Sequence, residues 1–393
     1  MLTAADLVKA DGAVRGFDGT TLKVASLGQK SQLPTLDIGI EARFKRANDT
    51  NEIPGVKLDY VEYADDNGDQ ATALSEARRL VTSDKVFSIV GDSSSFDPVD
   101  YFAQQKVPYV GNGVSSVYCT DTPSTALWGF SVTGCLVPTS PKTVADKMFP
   151  LYQYVSTATG KAHPTLAIFT SDVASAIGGA KAYGVSATGD GFDVVLDDGI
   201  LAFPGPISDY TPYAQQLLTA DHGNAPDAIM CLAAIDCIQV WGQLQATGYK
   251  GVYQHFLYSD QLLAPMKGSV VQVNAVPFSA GTPAVEQMKT DITAVDPKQA
   301  LDVPTANGYY SADMFIQALK EIAAVGKDYI TPENLRTALS TMTWTADGLA
   351  GPVEYPDSTV ATTPSCSALL QDDGTAWNIV EPYSCSSKTF PTS

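Results

Sequence analysis

Asp84-Lys85-Val86-Phe87-Ser88-Ile89-Val90-Gly91-Asp92-Ser93-Ser94-Ser95 reads as one buried strand that runs into a polar loop. Residues 86–90 are almost continuously apolar, the pattern of a parallel strand covered by helices on both faces. Before it, Asp69 is placed to cap a helix over 70–82, with Leu74, Ala77 and Val81 turned inward. Before that helix lies a strand at 58–64. A helix at 34–48 precedes it, with Leu36, Ile40, Phe44 and Ala47 at helical spacing, and a first strand at 22–26 is ended by Gly28. After it, Asp97-Pro98 starts another helix with Pro at the first helical position, and 107–110 is the next strand. This strand–helix alternation predicts a parallel sheet with helices on both faces. The first twenty residues are polar and poorly periodic.

The pattern restarts after residues 136–141, a stiff Leu-Val-Pro-Thr-Ser-Pro crossing segment. A helix is expected at 143–157, then strands at 165–169, 193–196, 228–231 and 252–257, with helices near 176–183, 212–220 and 237–247. Thr211-Pro212 reads as a cap followed by Pro, and Gly248 sits where a helix C-terminus favours glycine. A strand at 270–277 follows, then helices at 284–294, 305–324 and 332–340, the last announced by Thr331-Pro332-Glu333. The tail from Gly351 reads as small strands and loops. The chain therefore holds two doubly wound α/β units.

The chain has 393 residues, 24 Lys plus Arg against 43 Asp plus Glu, and a formal charge of −19. Its apolar fraction of 45 % suits a globular protein and argues against disorder. The acidity argues against a nucleic-acid binder, since phosphates would be repelled. No run of about 18 apolar residues is present to span a membrane, and residues 1–15 lack the layout of a signal peptide. Cys119, Cys135, Cys231, Cys237, Cys366 and Cys385 form an even set at short spacings. Nearest pairing gives 119–135, 231–237 and 366–385, although other connectivities and six free core cysteines stay open. Bridges would imply an oxidising compartment.

The chemistry of catalysis is hard to find in this sequence. His163, His222 and His255 have no second His or Cys at metal-ligand spacing. No phosphate-binding or dinucleotide fingerprint is present, so no cofactor is expected. Ser186 lacks the second Gly of a nucleophile elbow. Adjacent carboxylates such as Asp65-Asp66 and Asp197-Asp198 point apart on extended backbone.

Open parallel sheets bind ligands beyond the carboxyl ends of their strands. The loops there carry Gln29, then Ser93, Ser94 and Ser95, then Asn112, Gly113, Val114 and Ser115. In the second unit they carry Asp172 and Ala174, then Asp236, then Tyr258. Hydroxyls and helix-start N–H groups in such loops hold a carboxylate. The plainer readings are helix capping by Ser93, Ser94 and Ser95 and N-capping by Asp236. Phe96, Tyr118, Trp128 and Tyr258 could form apolar walls, or pack as core.

The runs Tyr63-Ala64-Asp65-Asp66-Asn67-Gly68-Asp69-Gln70-Ala71, Ala77-Arg78-Arg79-Leu80-Val81 and Asp84 through Gly91 resemble the type I periplasmic solute-binding proteins, in the branched-chain amino-acid (Leu/Ile/Val) branch. Val107-Pro108-Tyr109-Val110, Gln243-Leu244-Gln245-Ala246-Thr247-Gly248-Tyr249 and Gly308-Tyr309-Tyr310-Ser311-Ala312-Asp313 extend the resemblance, which covers about residues 20–345. It implies two lobes joined by a three-segment hinge: 20–134 with 276–345, and 135–275 with 346–393. Ser94 or Ser95 and 112–115 would grip a ligand carboxylate, and Asp236 falls where relatives place a Glu for the ligand ammonium. Their Asp-x-x-x-Tyr-Gly run is Asp172-Val173-Ala174-Ser175-Ala176-Ile177 here, so Ala176 replaces the aromatic and leaves room for a bulkier ligand. The implied function is that of a non-enzymatic, extracytoplasmic receptor for an ABC importer, secreted or lipid-anchored, with its signal segment absent from this chain. Its expected partners are an ABC permease and a small ligand: an amino acid, an aromatic acid, or a larger alicyclic or steroid-like carboxylate. A ligand-sensing regulator domain on the same fold is the alternative, and an α/β hydrolase the more distant one.

Overall fold

One five-residue strand shows how the alternating sequence builds layers. In the second half of the chain, Leu166 and Ile168 face one hydrophobic cluster while Ala167 and Phe169 face another. A strand with both faces buried needs helices on both sides. The computed structural model describes residues 2–112, 116–119, 128–136, 142–172, 174–198, 200–201, 207–233, 235–355 and 363–392.

The chain divides into two compact units, Met1–Leu136 with Thr282–Thr362, and Val137–Gly281 with Thr363–Ser393. It therefore passes between them three times. Unit 1 contains β1 (Thr21–Gly28), α1 (Leu36–Asp49), β2 (Lys57–Asp65), α2 (Gln70–Thr82), β3 (Ser88–Asp92), α3 (Val99–Gln104), β4 (Tyr109–Gly111) and β5 (Gly129–Ser131). The strands form one parallel sheet in the order β2-β1-β3-β4-β5. Asp69 caps α2 as expected, its carboxylate accepting from the Thr72 N–H at 2.8 Å. Ala25, Leu27, Ile89 and Tyr109 pack with α2 and α3 residues on one face.

Unit 2 contains β6 (Thr143–Ala145), α4 (Tyr152–Thr159), β7 (Thr165–Phe169), α5 (Ala174–Asp190), β8 (Asp193–Leu196), α6 (Thr211–Leu218), β9 (Ala228–Cys231), α7 (Asp236–Ala246), β10 (Val252–His255) and β11 (Val270–Val273). The chain then returns to unit 1 with α8 (Pro283–Thr293), α9 (Val303–Val325) and α10 (Pro332–Thr341), and ends in unit 2 with β12 (Cys366–Asp372), β13 (Trp377–Cys385) and β14 (Thr389–Pro391). The large sheet runs β13-β12-β11-β10-β9-β7-β8, parallel from β11 through β8, with β12 and β13 antiparallel at one side.

Several expectations shift. The helix expected at 143–157 is instead β6, a single 3-10 turn at Asp146–Met148, and then α4. Pro150 keeps Phe149 out of the helical region (φ −137°, ψ 87°), and β6 finds a partner in β14. The helix near 176–183 extends through Gly184 to Asp190. Pro98 is the N-cap of α3 rather than its first residue. Tyr210 rather than Thr211 occupies the cap of α6. The strand expected at 270–277 stops at Val273, and β5 is additional.

All six cysteines are bridged, as 119–135, 231–237 and 366–385. Among the described residues no helix is long and apolar enough to cross a membrane.

Candidate functional site

In unit 1 the strand-end loops meet through a glycine. A Cβ on Gly28 would lie 2.0 Å from the Ser93 hydroxyl, so only glycine lets the end of β1 run beside the loop after β3. Ser93 and Ser94 are buried and their hydroxyls are engaged within the unit. Ser93 Oγ is 2.8 Å from the Tyr63 hydroxyl. Ser94 donates to Asp66 Oδ2 at 2.5 Å and accepts from the Phe96 N–H at 3.0 Å. Ser95 is exposed, and Phe96 beside it is 45 % exposed. Gln29 Oε1 accepts from Gln32 Nε2 at 2.7 Å. Asn112 is buried at the end of β4, its carbonyl accepting from the Thr133 hydroxyl. Gly113, Val114 and Ser115 lie outside the described residues. Gln29, Ser93, Ser94, Ser95 and Asn112 thus follow the neighbouring strands β1, β3 and β4.

In unit 2 the corresponding loops follow β7, β9 and β10, again adjacent strands. Asp172 lies after β7, its N–H donating to the Leu201 carbonyl at 2.7 Å. Ala174 and Ala176 open α5. Asp236 is the first residue of α7, and Ile235 occupies the cap. The Asp236 carboxylate instead accepts from the Tyr210 hydroxyl at 2.5 Å. This hydrogen bond, helped by burial, pushes the Tyr210 phenol up to about 12. The Cys231–Cys237 bridge ties the end of β9 to the first turn of α7, and Ile235 in the enclosed loop is 71 % exposed.

The aromatic candidates divide. Tyr258 stacks on Phe278 (centroids 4.8 Å apart) and meets Trp377 edge-on, so its ring is packed within unit 2. Trp128 is covered by the Arg336 guanidinium at 5.0 Å, and the Tyr118 hydroxyl is bound to Asp92. Phe96 is the exposed one of the four. Sequence reading missed Tyr210, Tyr63 and Asp66, because contacts between residues 26 to 30 apart leave no local signal. The Asp66-Asn67-Gly68 turn, in which Asp66 Oδ1 accepts from the Gly68 N–H at 2.8 Å, was the available clue to Asp66.

His255 and Ser269 form a buried pair, Nε2 to Oγ 3.0 Å. The other ring nitrogen, Nδ1, accepts from the Leu257 N–H at 3.0 Å. The ring proton therefore sits on Nε2 and is donated to Ser269, which is the wrong tautomer for a base that activates a serine. Burial pulls this imidazole from 6.5 down to about 3. Its folded value lies below its unfolded one, so the stability it lends is present above the unfolded value and is lost as pH falls toward the folded one. At about pH 5 the loss is about 2 kcal/mol, from 1.36 kcal/mol per unit. Denaturant unfolding followed from about pH 8 to about pH 5 should show this decline, and His255→Gln should flatten it. Equal slopes in the two proteins would contradict the assignment. Among the described residues, no group of three His, Cys, Asp or Glu is arranged to hold a metal.

The family described as periplasmic binding protein matches residues 24–373, and this chain belongs to it. Solved structures of similar fold include a fatty acid ABC transporter substrate-binding protein from Thermomonospora curvata (17 % identity, TM-score 0.72, covering 96 % of this chain and 95 % of that one). Another is an R. palustris ABC transporter solute-binding protein in complex with 4-hydroxybenzoate (17 %, 0.69, 94 % and 98 %). A third is a possible leucine/isoleucine/valine-binding protein from Rhodopirellula baltica SH 1 (15 %, 0.69, 94 % and 98 %). At such identities the likeness establishes the fold alone. No curated protein sequence matches this chain.

Proposed function

We propose that this protein is the extracytoplasmic solute-binding component of an ABC importer. It captures a small organic acid or amino acid and delivers it to a membrane permease. Family membership carries this reading, because the match at 24–373 runs through both units. Two sheets ending in loops rich in hydroxyls and helix starts suit capture of a polar head group. Closure of two lobes around a ligand is a hinge motion that converts binding energy into a shape a partner can read. Three disulfides favour an oxidising location outside the cytosol.

Ser95 and the 112–115 loop would take a ligand carboxylate, and Asp236, steadied by Tyr210, an ammonium or hydroxyl. Phe96 and Ile235 would border the apolar body, and Ala176 leaves it room. An aromatic acid, a fatty acid or a larger alicyclic carboxylate fits these walls as well as an amino acid does. The fatty-acid and 4-hydroxybenzoate proteins of the same fold accord with that range.

Mass spectrometry of the solute carried through purification, followed by calorimetry with it, tests the reading. Asp236→Ala should then weaken binding at least about tenfold, or about 1.4 kcal/mol, because a desolvated group on the ligand loses its partner. A chain that emerges without any solute and binds none, or a solute returned chemically altered, would defeat the proposal. Unchanged affinity in Asp236→Ala would remove that residue from the site.

A further inference from the structure

Two residues beyond the end of β1, Lys30 is the one Lys, Arg or His in the strand-end loops 29–31, 66–69, 93–96 and 112–115 of unit 1 and 171–174, 232–236 and 257–260 of unit 2. Its ammonium lies 5.3 Å from the centroid of the Tyr63 ring. The hydroxyl of that ring is 2.8 Å from Ser93 Oγ, in the loop that follows β3. The cation thus sits over a side chain that reaches the loop carrying Ser94, Ser95 and Phe96. Lys30 is half-buried, so its charge is screened less than on open surface.

Among the described residues the Lys30 ammonium forms no ion pair. Arg43, Arg46 and Arg79 in the same unit are each held by at least two carboxylates. The carboxylates at the end of β2 are served by neutral donors instead. Asp65 Oδ1 accepts from the backbone N–H groups of Lys30 and Asn67 at 3.2 and 3.0 Å. Asp66 accepts from the Gly68 N–H at 2.8 Å and the Ser94 hydroxyl at 2.5 Å. An aromatic face attracts a cation, but it neither cancels the charge nor uses up the three N–H donors of an ammonium.

We infer that Lys30 is the charge that unit 1 offers to a ligand carboxylate, and that through it the site selects small acids over neutral molecules of the same shape. The inference rests on the solute-binding reading and sharpens it. Loop hydroxyls and N–H groups orient a carboxylate, but they also bond an alcohol or an amide. An ammonium discriminates, because its hydrogen bond to a carboxylate is about twice as strong as a neutral one. A chain of net charge −19 repels anions as a whole, and a local cation offsets that field where the ligand docks. Lys30 admits a simple acid and an amino acid alike, and the choice between them falls to Asp236.

Calorimetry on the intact protein tests this with benzoate, 4-hydroxybenzoate, octanoate and L-leucine, each beside its alcohol: benzyl alcohol, 4-hydroxybenzyl alcohol, 1-octanol and L-leucinol. An acid that binds should do so at least about tenfold more tightly than its alcohol. Lys30→Met, which keeps the length and loses the charge, should weaken the acid at least about tenfold and leave the alcohol unchanged. Lys30→Arg should retain most of the affinity for the acid. If Lys30→Met loses its native circular dichroism, Lys30→Arg and the acid–alcohol comparison in the unaltered protein decide. An alcohol that binds as tightly as its acid overturns the inference. So does Lys30→Met that binds the acid undiminished, or that weakens acid and alcohol alike. In each of these cases a solute is bound, so the solute-binding reading stands. If no acid of the set binds, the inference falls, and the solute that copurifies decides the broader reading separately.

Discussion

Asp313→Ala should lower the unfolding free energy by about 3–5 kcal/mol. Arg43 on α1 is 1 % exposed and depends on two carboxylates. Its Nε donates to Asp313 Oδ1 at 2.8 Å, and Nη1 and Nη2 donate to Glu52 at 2.8 and 2.9 Å. Asp313 Oδ2 in turn accepts from the Trp344 indole at 3.0 Å. Truncating Asp313 thus strips a partner from a buried cation and from a buried indole in one step, and a buried charge left short of partners is expensive. Lys45→Ala is the comparison. Lys45 and Asp49 form a pair that is half exposed on both sides, and such pairs contribute at most about 1 kcal/mol. Denaturant melts of both variants decide it. A loss at Asp313 no larger than the loss at Lys45 would mean that water reaches the guanidinium. Arg43→Met combined with Asp313→Leu should recover part of the stability, since replacing both partners with apolar groups removes the orphaned charge.

The second large effect concerns the crossing of α1 and α9. An ideal Cβ at Gly39 would lie 1.9 Å from the Thr305 carbonyl oxygen, and one at Gly308 would lie 1.9 Å from that of Leu36. The obstacle in each case is backbone, which no rotamer change can clear, so the two helices would have to part. Gly39→Ala should therefore destabilise by about 3 kcal/mol, the upper part of the range for overpacking. Helix propensity pulls the opposite way, since Ala is better than Gly by about 1 kcal/mol inside a helix. Gly242 on α7 isolates that term, because a Cβ there meets nothing within 4 Å. Gly242→Ala should stabilise by up to about 1 kcal/mol. Opposite signs at two helical glycines is the expected outcome of thermal melts, and a stabilised Gly39→Ala would refute the close approach.

The α/β architecture was legible because its signals are local. The apolar run at 86–90, the Asp69 cap and the Thr331-Pro332 start each act within a few residues, and each lies at or within two residues of the element it announced. What escaped depends on partners far along the chain. β6 is a strand because β14 pairs with it across more than two hundred residues, while its own sequence, followed by a helix-compatible run, points elsewhere. The site was legible in part. The strand-end loops could be named, but not which way their hydroxyls turn. Ser94 faces Asp66 because the turn after β2 brings that carboxylate beneath it. Asp236 looked like a cap because Asp at a helix start usually is one. Only the arrival of Tyr210 from the preceding helix start gives it a different partner.

The three passages of the chain between its units impose an order on its synthesis. The sheet of unit 1 is complete by Ser131, yet α9, against which α1 lies at Gly39, does not begin until Val303. Unit 2 waits longer still, because β14, the partner of β6, is not made until Thr389–Pro391. A ribosome must therefore release the chain past Val325 before α1 is covered and past Pro391 before β6 is paired. Until then α1 keeps an uncovered apolar stripe and β6 an open edge, so the nascent chain stays pliable and in need of shielding while those partners are still to be made.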